Sequence, residues 1–201
     1  MLLNLPEVEP SNLLPCDGRV YYWGRIFDDL TADQLTERLL QEVDWKHDEA
    51  VLYGKHIITA RQYAWYSDQP YEYHYSGVAR RAQPWSSLVD SIRQTVQQKT
   101  GKVYNSALLN LYPDGNSGMA WHRDAEKELV PDGSIASLSF GASRKFALKH
   151  IESKEKLDFI LHSGDLLEMC GETQQHWMHS VPKTKKVLEP RINLTFRQML
   201  A

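Results

Sequence analysis

From about residue 103 the chain stops repeating with helical spacing and breaks into short apolar runs. They fall at 105–112, 134–140, 144–150, 157–161, 165–169, 177–181 and 191–198. Turn signals separate them: Pro113-Asp114-Gly115, Pro131-Asp132-Gly133, Gly141, Ser163-Gly164-Asp165 and Gly171. Many short strands at this spacing predict a sandwich-like or barrel-like β core.

The first half reads differently. Residues 1–20 hold Pro6, Pro10 and Pro15 without periodicity, and are expected to be irregular. Thr31-Ala32-Asp33-Gln34 has the form of a capping box, with Leu35, Leu39, Leu40 and Val43 behind it at helical spacing. A helix near 31–43 is expected. Pro84 opens a second helical pattern through Trp85, Leu88, Val89, Ile92 and Val96, and Gly101 closes it. The expected class is α+β, as one domain over all 201 residues, 42% of them hydrophobic.

Composition narrows the function. No run of about 18 apolar residues occurs, so no membrane span is expected. Met1-Leu-Leu-Asn-Leu-Pro6 has no basic n-region or long apolar stretch and does not read as a secretory signal. Cys16 and Cys170 are the only cysteines, which suits a reduced protein of the cytoplasm, or of the nucleus in a eukaryote. The net charge of −3 excludes a wholly basic nucleic-acid binder. It is unevenly spread, however. Residues 1–50 carry 11 acidic and 4 basic side chains, and residues 51–201 carry 15 and 19. Arg80, Arg81, Arg144, Lys145, Lys149, Lys183, Lys185 and Lys186 are candidate phosphate contacts in the more positive part.

Chemistry concentrates in four segments: Asn110-Leu111-Tyr112, Trp121-His122-Arg123-Asp124, His176-Trp177-Met178-His179 and Arg191 to Arg197. On a strand, residues i and i+2 share a face, so His122 and Asp124 would offer an imidazole and a carboxylate together. A second imidazole must come from another strand, as His176 or His179. On a strand these two face opposite ways, so only one reaches the ion. Two His and one carboxylate hold iron(II) on one face and leave the opposite face open. Arg191 and Arg197 would grip a dicarboxylate cosubstrate through charge-assisted hydrogen bonds. Two other His-x-acid pairs, His47-x-Glu49 and His150-x-Glu152, lack this sequel.

The order Asn-x-Tyr, His-x-Asp, His, Arg-x5-Arg resembles the AlkB family of iron(II)- and 2-oxoglutarate-dependent dioxygenases. Asn110–Gly115, Ile135–Gly141, Gly164–Met169 and Pro190–Arg197 look like family segments too. The likeness runs from about residue 50 to 198 and is nearest the members that repair alkylated duplex DNA. It implies a double-stranded β-helix, or jelly roll, with the N-terminal helices packed on its major sheet. Residues 1–50 would be a lead-in with a helix, 51–100 a nucleotide-recognition region, and 101–201 the catalytic core. By position, His122, Asp124 and His179 would bind Fe(II). Asn110, Tyr112, Arg191, Asn193 and Arg197 would hold 2-oxoglutarate, with Arg191 on the distal carboxylate and Arg197 beside the metal. With O2 as cosubstrate, N-methyl groups of 1-methyladenine or 3-methylcytosine would leave as formaldehyde. The partner would be alkylated DNA, with RNA as the alternative, and the protein a monomer. Tyr73, Tyr75 and Glu126 match positions that contact the damaged base. Tyr53 sits where duplex-repair members wedge an aromatic into the base stack. The competing readings are an oxygenase acting on RNA or protein, a non-catalytic binding module on the same fold, and a zinc hydrolase.

Overall fold

A computed structural model describes residues 10–52, 55–75 and 78–200. The elements in chain order are β1 (Arg19–Arg25), α1 (Asp29–Glu42), β2 (Lys46–Leu52), β3 (Lys55–Ser67), β4 (Glu72–Tyr75), β5 (Val78–Arg81), α2 (Ser87–Thr100), β6 (Ser106–Tyr112), β7 (Met119–His122), β8 (Ile135–Gly141), β9 (Arg144–His150), β10 (Lys156–Leu161), β11 (Asp165–Cys170), α3 (Thr173–His176), β12 (Trp177–Val181) and β13 (Arg191–Arg197). A seven-stranded sheet of order β1-β11-β8-β13-β6-β3-β2 faces a four-stranded sheet of order β10-β9-β12-β7. Pairings in both are antiparallel, which gives the expected jelly-roll core.

Strand β13 shows how the sequence builds this. Its residues alternate, and period 2 sends them to opposite faces. Ile192, Leu194 and Phe196 join a core with α1 and α2 on one face of the large sheet. Arg191, Asn193, Thr195 and Arg197 take the other face, toward the small sheet. Six of the seven residues are buried all the same, so the polar ones lie inside the molecule. A second apolar cluster, including Ile135, Leu148, Leu167 and Trp177, fills the rest of the space between the sheets.

Both helices form as expected, with shifted starts. Asp28 caps α1, its carboxylate accepting from the Thr31 N–H at 2.7 Å. The capping-box reading at Thr31 therefore begins one turn late, because Asp28 is the earlier acceptor. Ser86 caps α2, and Gly101 closes it at φ 68°, the left-handed geometry glycine adopts freely. Several elements, β1, β2, β3, β5 and α3, lay outside the sequence expectations. β1 begins inside the supposed lead-in, β2 and β3 extend the large sheet, and α3 is a single turn. Among the described residues, no helix is long and apolar enough to cross a membrane.

Candidate metal and cosubstrate site

His122 and His179 face each other as a cross-strand pair of β7 and β12. Their ring centroids are 4.2 Å apart, and Phe146 stacks on the far side of His179 at 5.6 Å. The ladder thus fixes both imidazoles. Asp124 differs from the expectation, because β7 ends at His122 and the carboxylate comes from irregular chain beyond it. Its Oδ1 nevertheless lies 3.7 Å from Nε2 of both histidines. One ligand atom from each of the three lies within 4.8 Å of the others. Donors bound to one ion at about 2.1 Å sit about 3 Å apart, so small side-chain rotations bring this trio onto a single cation.

Protonation agrees with that. His122 Nδ1 is 2.8 Å from the carbonyl of Ala120, which only accepts, so the proton sits on Nδ1 and the Nε2 lone pair faces inward. Burial pushes the His179 pKa down to about 4, which keeps that imidazole neutral. Burial alone would raise the Asp124 carboxyl. The Arg197 guanidinium, 2.6 Å from Oδ2, and the two imidazoles hold it below the usual carboxylate range instead. A neutral N, N, O⁻ donor set facing one point fits iron(II), and the open side of the trio leaves room for cosubstrate.

His176 ends α3, and its ring stacks at 6.3 Å on His150 rather than toward the trio. That settles the choice in favour of His179. A second cluster, Cys16, Asp17 and His150, also brings ligand atoms within 4.8 Å. There the Ser153 N–H donates to His150 Nδ1 at 3.1 Å, so the proton belongs on Nε2, 3.2 Å from Asp17. Cys16 and Asp17 are exposed, and none of the three lines the cleft beside the trio.

The cleft beside the trio is lined by β6 and β13 side chains, including Asn110, Tyr112, Asn193, Thr195 and Arg197, and has a cavity volume of about 110 Å³. Asn110 and Asn193 are direct cross-strand partners, as are Tyr112 and Arg191. Asn193 Nδ2 donates to Ser137 Oγ at 2.8 Å and to the Leu138 carbonyl at 3.0 Å, which locks its amide. Arg191 is 1% exposed. Its Nη2 donates to Ser139 Oγ at 2.9 Å, while Nε and Nη1 meet no acceptor among the described residues. No carboxylate pairs with it there either. Burial pulls its pKa down to about 10, so it remains a cation. A buried, half-satisfied guanidinium calls for an anion, and one carboxylate of 2-oxoglutarate fits. Ser137 and Ser139, which the sequence reading did not single out, hold Asn193 and Arg191 by these hydrogen bonds.

Arg144 corrects an expectation. It is not a surface phosphate contact but is 2% exposed. It donates to the carbonyls of Asp114 at 3.1 Å, and of Ser117 and Pro182 at 2.9 Å, tying loops at the cleft's end. Arg81 pairs with Glu72 at 2.6 Å, Lys145 with Asp158, and the Lys149 ammonium lies 4.5 Å over the Trp121 ring.

On the recognition side, Glu126 is exposed at the cleft rim. It also borders a narrow, mostly apolar recess with Trp65, Leu108, Glu128, Leu129 and Met199. Glu128 and Leu108 carried no sequence signal. Tyr73 and Tyr75 lie on β4, paired with Arg80 and Val78 of β5. Tyr71 precedes that strand, stacks on Trp65 at 6.5 Å and donates to the Leu200 carbonyl at 3.0 Å, so it is structural. Tyr53 lies outside the described residues.

Comparison with known proteins agrees with the geometry. Residues 19–197 match the model of the 2OG-Fe(II) oxygenase superfamily. The chain is 37% identical over 198 residues to mouse (Mus musculus) DNA oxidative demethylase ALKBH2, covering 93% of this chain and 81% of that protein. It is 38% identical over 186 residues to the human (Homo sapiens) ALKBH2, covering 87% and 71%. Human alkB homolog 3, an alpha-ketoglutarate-dependent dioxygenase, is 35% identical over 190 residues, covering 90% and 66%. The solved structure of OsALKBH1 shares the fold with a TM-score of 0.60 at 14% identity, covering 94% of this chain and all of that one. The chain belongs to the AlkB family of iron(II)- and 2-oxoglutarate-dependent dioxygenases.

Proposed function

We propose that this protein removes N-linked methyl groups from nucleobases in DNA, with 1-methyladenine and 3-methylcytosine as its substrates, and so repairs alkylated DNA directly. The reading is supported by the convergent trio, with Asp124 and His179 buried, and by the buried, acid-seeking Arg191, on a chain related over most of its length to DNA oxidative demethylases.

When bound, iron(II) with 2-oxoglutarate and O2 supplies the oxidation that turns an N-methyl into an N-hydroxymethyl group, giving succinate and carbon dioxide. Formaldehyde then leaves and the base is restored. The protein's side chains do the rest. His122, Asp124 and His179 hold the metal, and Arg197 keeps the Asp124 carboxylate ionised and oriented. Arg191 binds the distal carboxylate of 2-oxoglutarate, while Asn110, Tyr112 and Asn193 line its bed. The apolar walls, Leu108, Met119, Phe146 and Val181, keep water from the reacting carbon.

A base in a duplex cannot reach this depth and must be flipped out. Methylation at the pairing edge makes both lesions cationic and cheap to unpair. Glu126 at the rim favours that positive charge. Tyr73 and Tyr75 would stack on the extruded base, and Tyr53 would fill the gap it leaves. The enzyme acts as a monomer in the compartment that holds DNA.

The test is formaldehyde and succinate release from oligonucleotides carrying either lesion, with iron(II), ascorbate and 2-oxoglutarate. No turnover of either lesion, in single or double strands, refutes the substrate. Faster turnover of matched RNA refutes the DNA assignment.

A further inference from the structure

The three metal ligands are not held alike. His122 and His179 sit opposite each other in a strand ladder. Asp124 sits two residues past the end of β7, with no ladder partner, in the irregular stretch 123–126. Its carboxylate is gripped by Arg197, but a carboxylate on loose backbone would swing on that one contact. The backbone has its own holder. The Asp124 N–H donates to the side-chain carbonyl oxygen of Gln174 at 2.9 Å, across 50 residues of sequence.

Gln174 is well placed to hold. It lies in α3, the single turn that runs straight into β12 and His179. Its amide nitrogen points at Met169 Sδ, 3.5 Å away, which leaves Oε1 turned to the Asp124 N–H. That N–H demands an acceptor, so the amide orientation is fixed. α3 is itself anchored on several sides. Thr173, 1% exposed, accepts from the Arg19 N–H at 2.8 Å. Gln175 Nε2 donates to Asp132 Oδ1 at 2.7 Å, and the His176 carbonyl accepts from the Ile151 N–H at 2.8 Å. Arg123, beside Asp124, donates back to the Gln175 carbonyl at 3.3 Å.

We propose that Gln174 is a positioning residue for the metal centre. Its side-chain carbonyl fixes the backbone of the off-strand ligand Asp124, and so couples that ligand to the segment that delivers His179. This rests on the metal-centre reading above. It adds that one ligand is placed by a side-chain tether where the other two are placed by strand pairing. Outer contacts of this kind tune metal affinity by about 10- to 100-fold when removed.

The experiment is titration of metal-free protein with Co(II), read by the visible d–d spectrum and by calorimetry, with no cosubstrate present. Gln174→Leu keeps the bulk and loses the acceptor. Gln174→Glu keeps an acceptor oxygen. We expect Gln174→Leu to bind Co(II) about 10-fold more weakly with an altered d–d band, and Gln174→Glu to restore both to near the wild-type values. Melting of the metal-free proteins checks that all are folded, and Gln174→Ala takes the place of Gln174→Leu if the latter is not. Wild-type affinity and spectrum in Gln174→Leu, with binding still lost in His122→Ala, overturns the tether and leaves the metal centre standing. A Gln174→Glu protein as weak as Gln174→Leu also overturns it. No Co(II) binding by wild type, or undiminished binding in His122→Ala, overturns the centre itself and the tether with it.

Discussion

The cosubstrate end and the recognition rim of this cleft are built on opposite plans. At the cosubstrate end, Asn110, Tyr112, Arg191 and Asn193 sit on interior strands of the large sheet, and Asn110, Arg191 and Asn193 have ladder neighbours on both sides. Their side chains are buried, and Ser137 and Ser139 on the adjacent strand lock two of them by hydrogen bonds. At the rim, Glu126 is exposed on irregular chain, and Tyr73 and Tyr75 belong to a separate two-stranded ribbon, β4–β5. Chemistry that must be the same for every turnover is set in the rigid interior. Selection of the base is left to segments that can change without disturbing the sheet.

If that division is right, the largest losses come from the metal ligands and the cosubstrate end rather than from the rim. Replacing Asp124 or His122 by Ala should cut formaldehyde release by about 10³-fold or more, because the open-faced donor set is then incomplete. Unchanged turnover in either variant would dismantle the metal assignment. Arg191→Leu comes next. It should raise KM for 2-oxoglutarate by about 100-fold, worth roughly 2–3 kcal/mol of charge-assisted hydrogen bonding, with a smaller change in kcat. The same substitution removes a buried cation that lacks an acidic partner among the described residues. The cosubstrate-free protein should therefore melt no lower than wild type, and 2-oxoglutarate should stabilise it less. A marked fall in the melting temperature without cosubstrate would mean that Arg191 is structural and the interior is not held ready for an anion.

Sequence patterns reported the interior better than its supports, and the reason is physical. Strands 144–150 and 177–181 were legible to the residue, because apolar runs between turns reflect burial on two faces. His122, Asp124 and His179 were legible because metal chemistry restricts which residue types serve. The geometry joining them was not. β7 spans only four residues, too few to show a period, so nothing marked where the strand stops before Asp124. Gln174 lies in a one-turn helix, and its partner is 50 residues away, a contact no local spacing encodes. Arg144 looked like a surface cation because its composition signal is a charge. Only the closed fold reveals that loop carbonyls wrap it. β1 did leave a trace, in Val20, Tyr21, Tyr22 and Trp23, which favour strands, but the prolines before them masked it.

The smallest effect belongs to the rim and bears most directly on the division. Glu126 is exposed, so its pull on a cationic base is weakened by water and salt. At about 4 Å in water a full charge pair is worth about 1 kcal/mol, or roughly fivefold in a rate ratio. Glu126→Gln should therefore lower the preference for cationic 1-methyladenine over a neutral N-methylated base by about fivefold or less, and the difference should shrink as salt is raised. Co(II) affinity and KM for 2-oxoglutarate should stay at wild-type values, because the carboxylate makes none of the hydrogen bonds that hold Asp124 or Arg191. If removing this one rim charge disturbs metal or cosubstrate binding as much as it disturbs base choice, the rim and the interior act as one unit. The independence inferred from their separate supports would then be wrong.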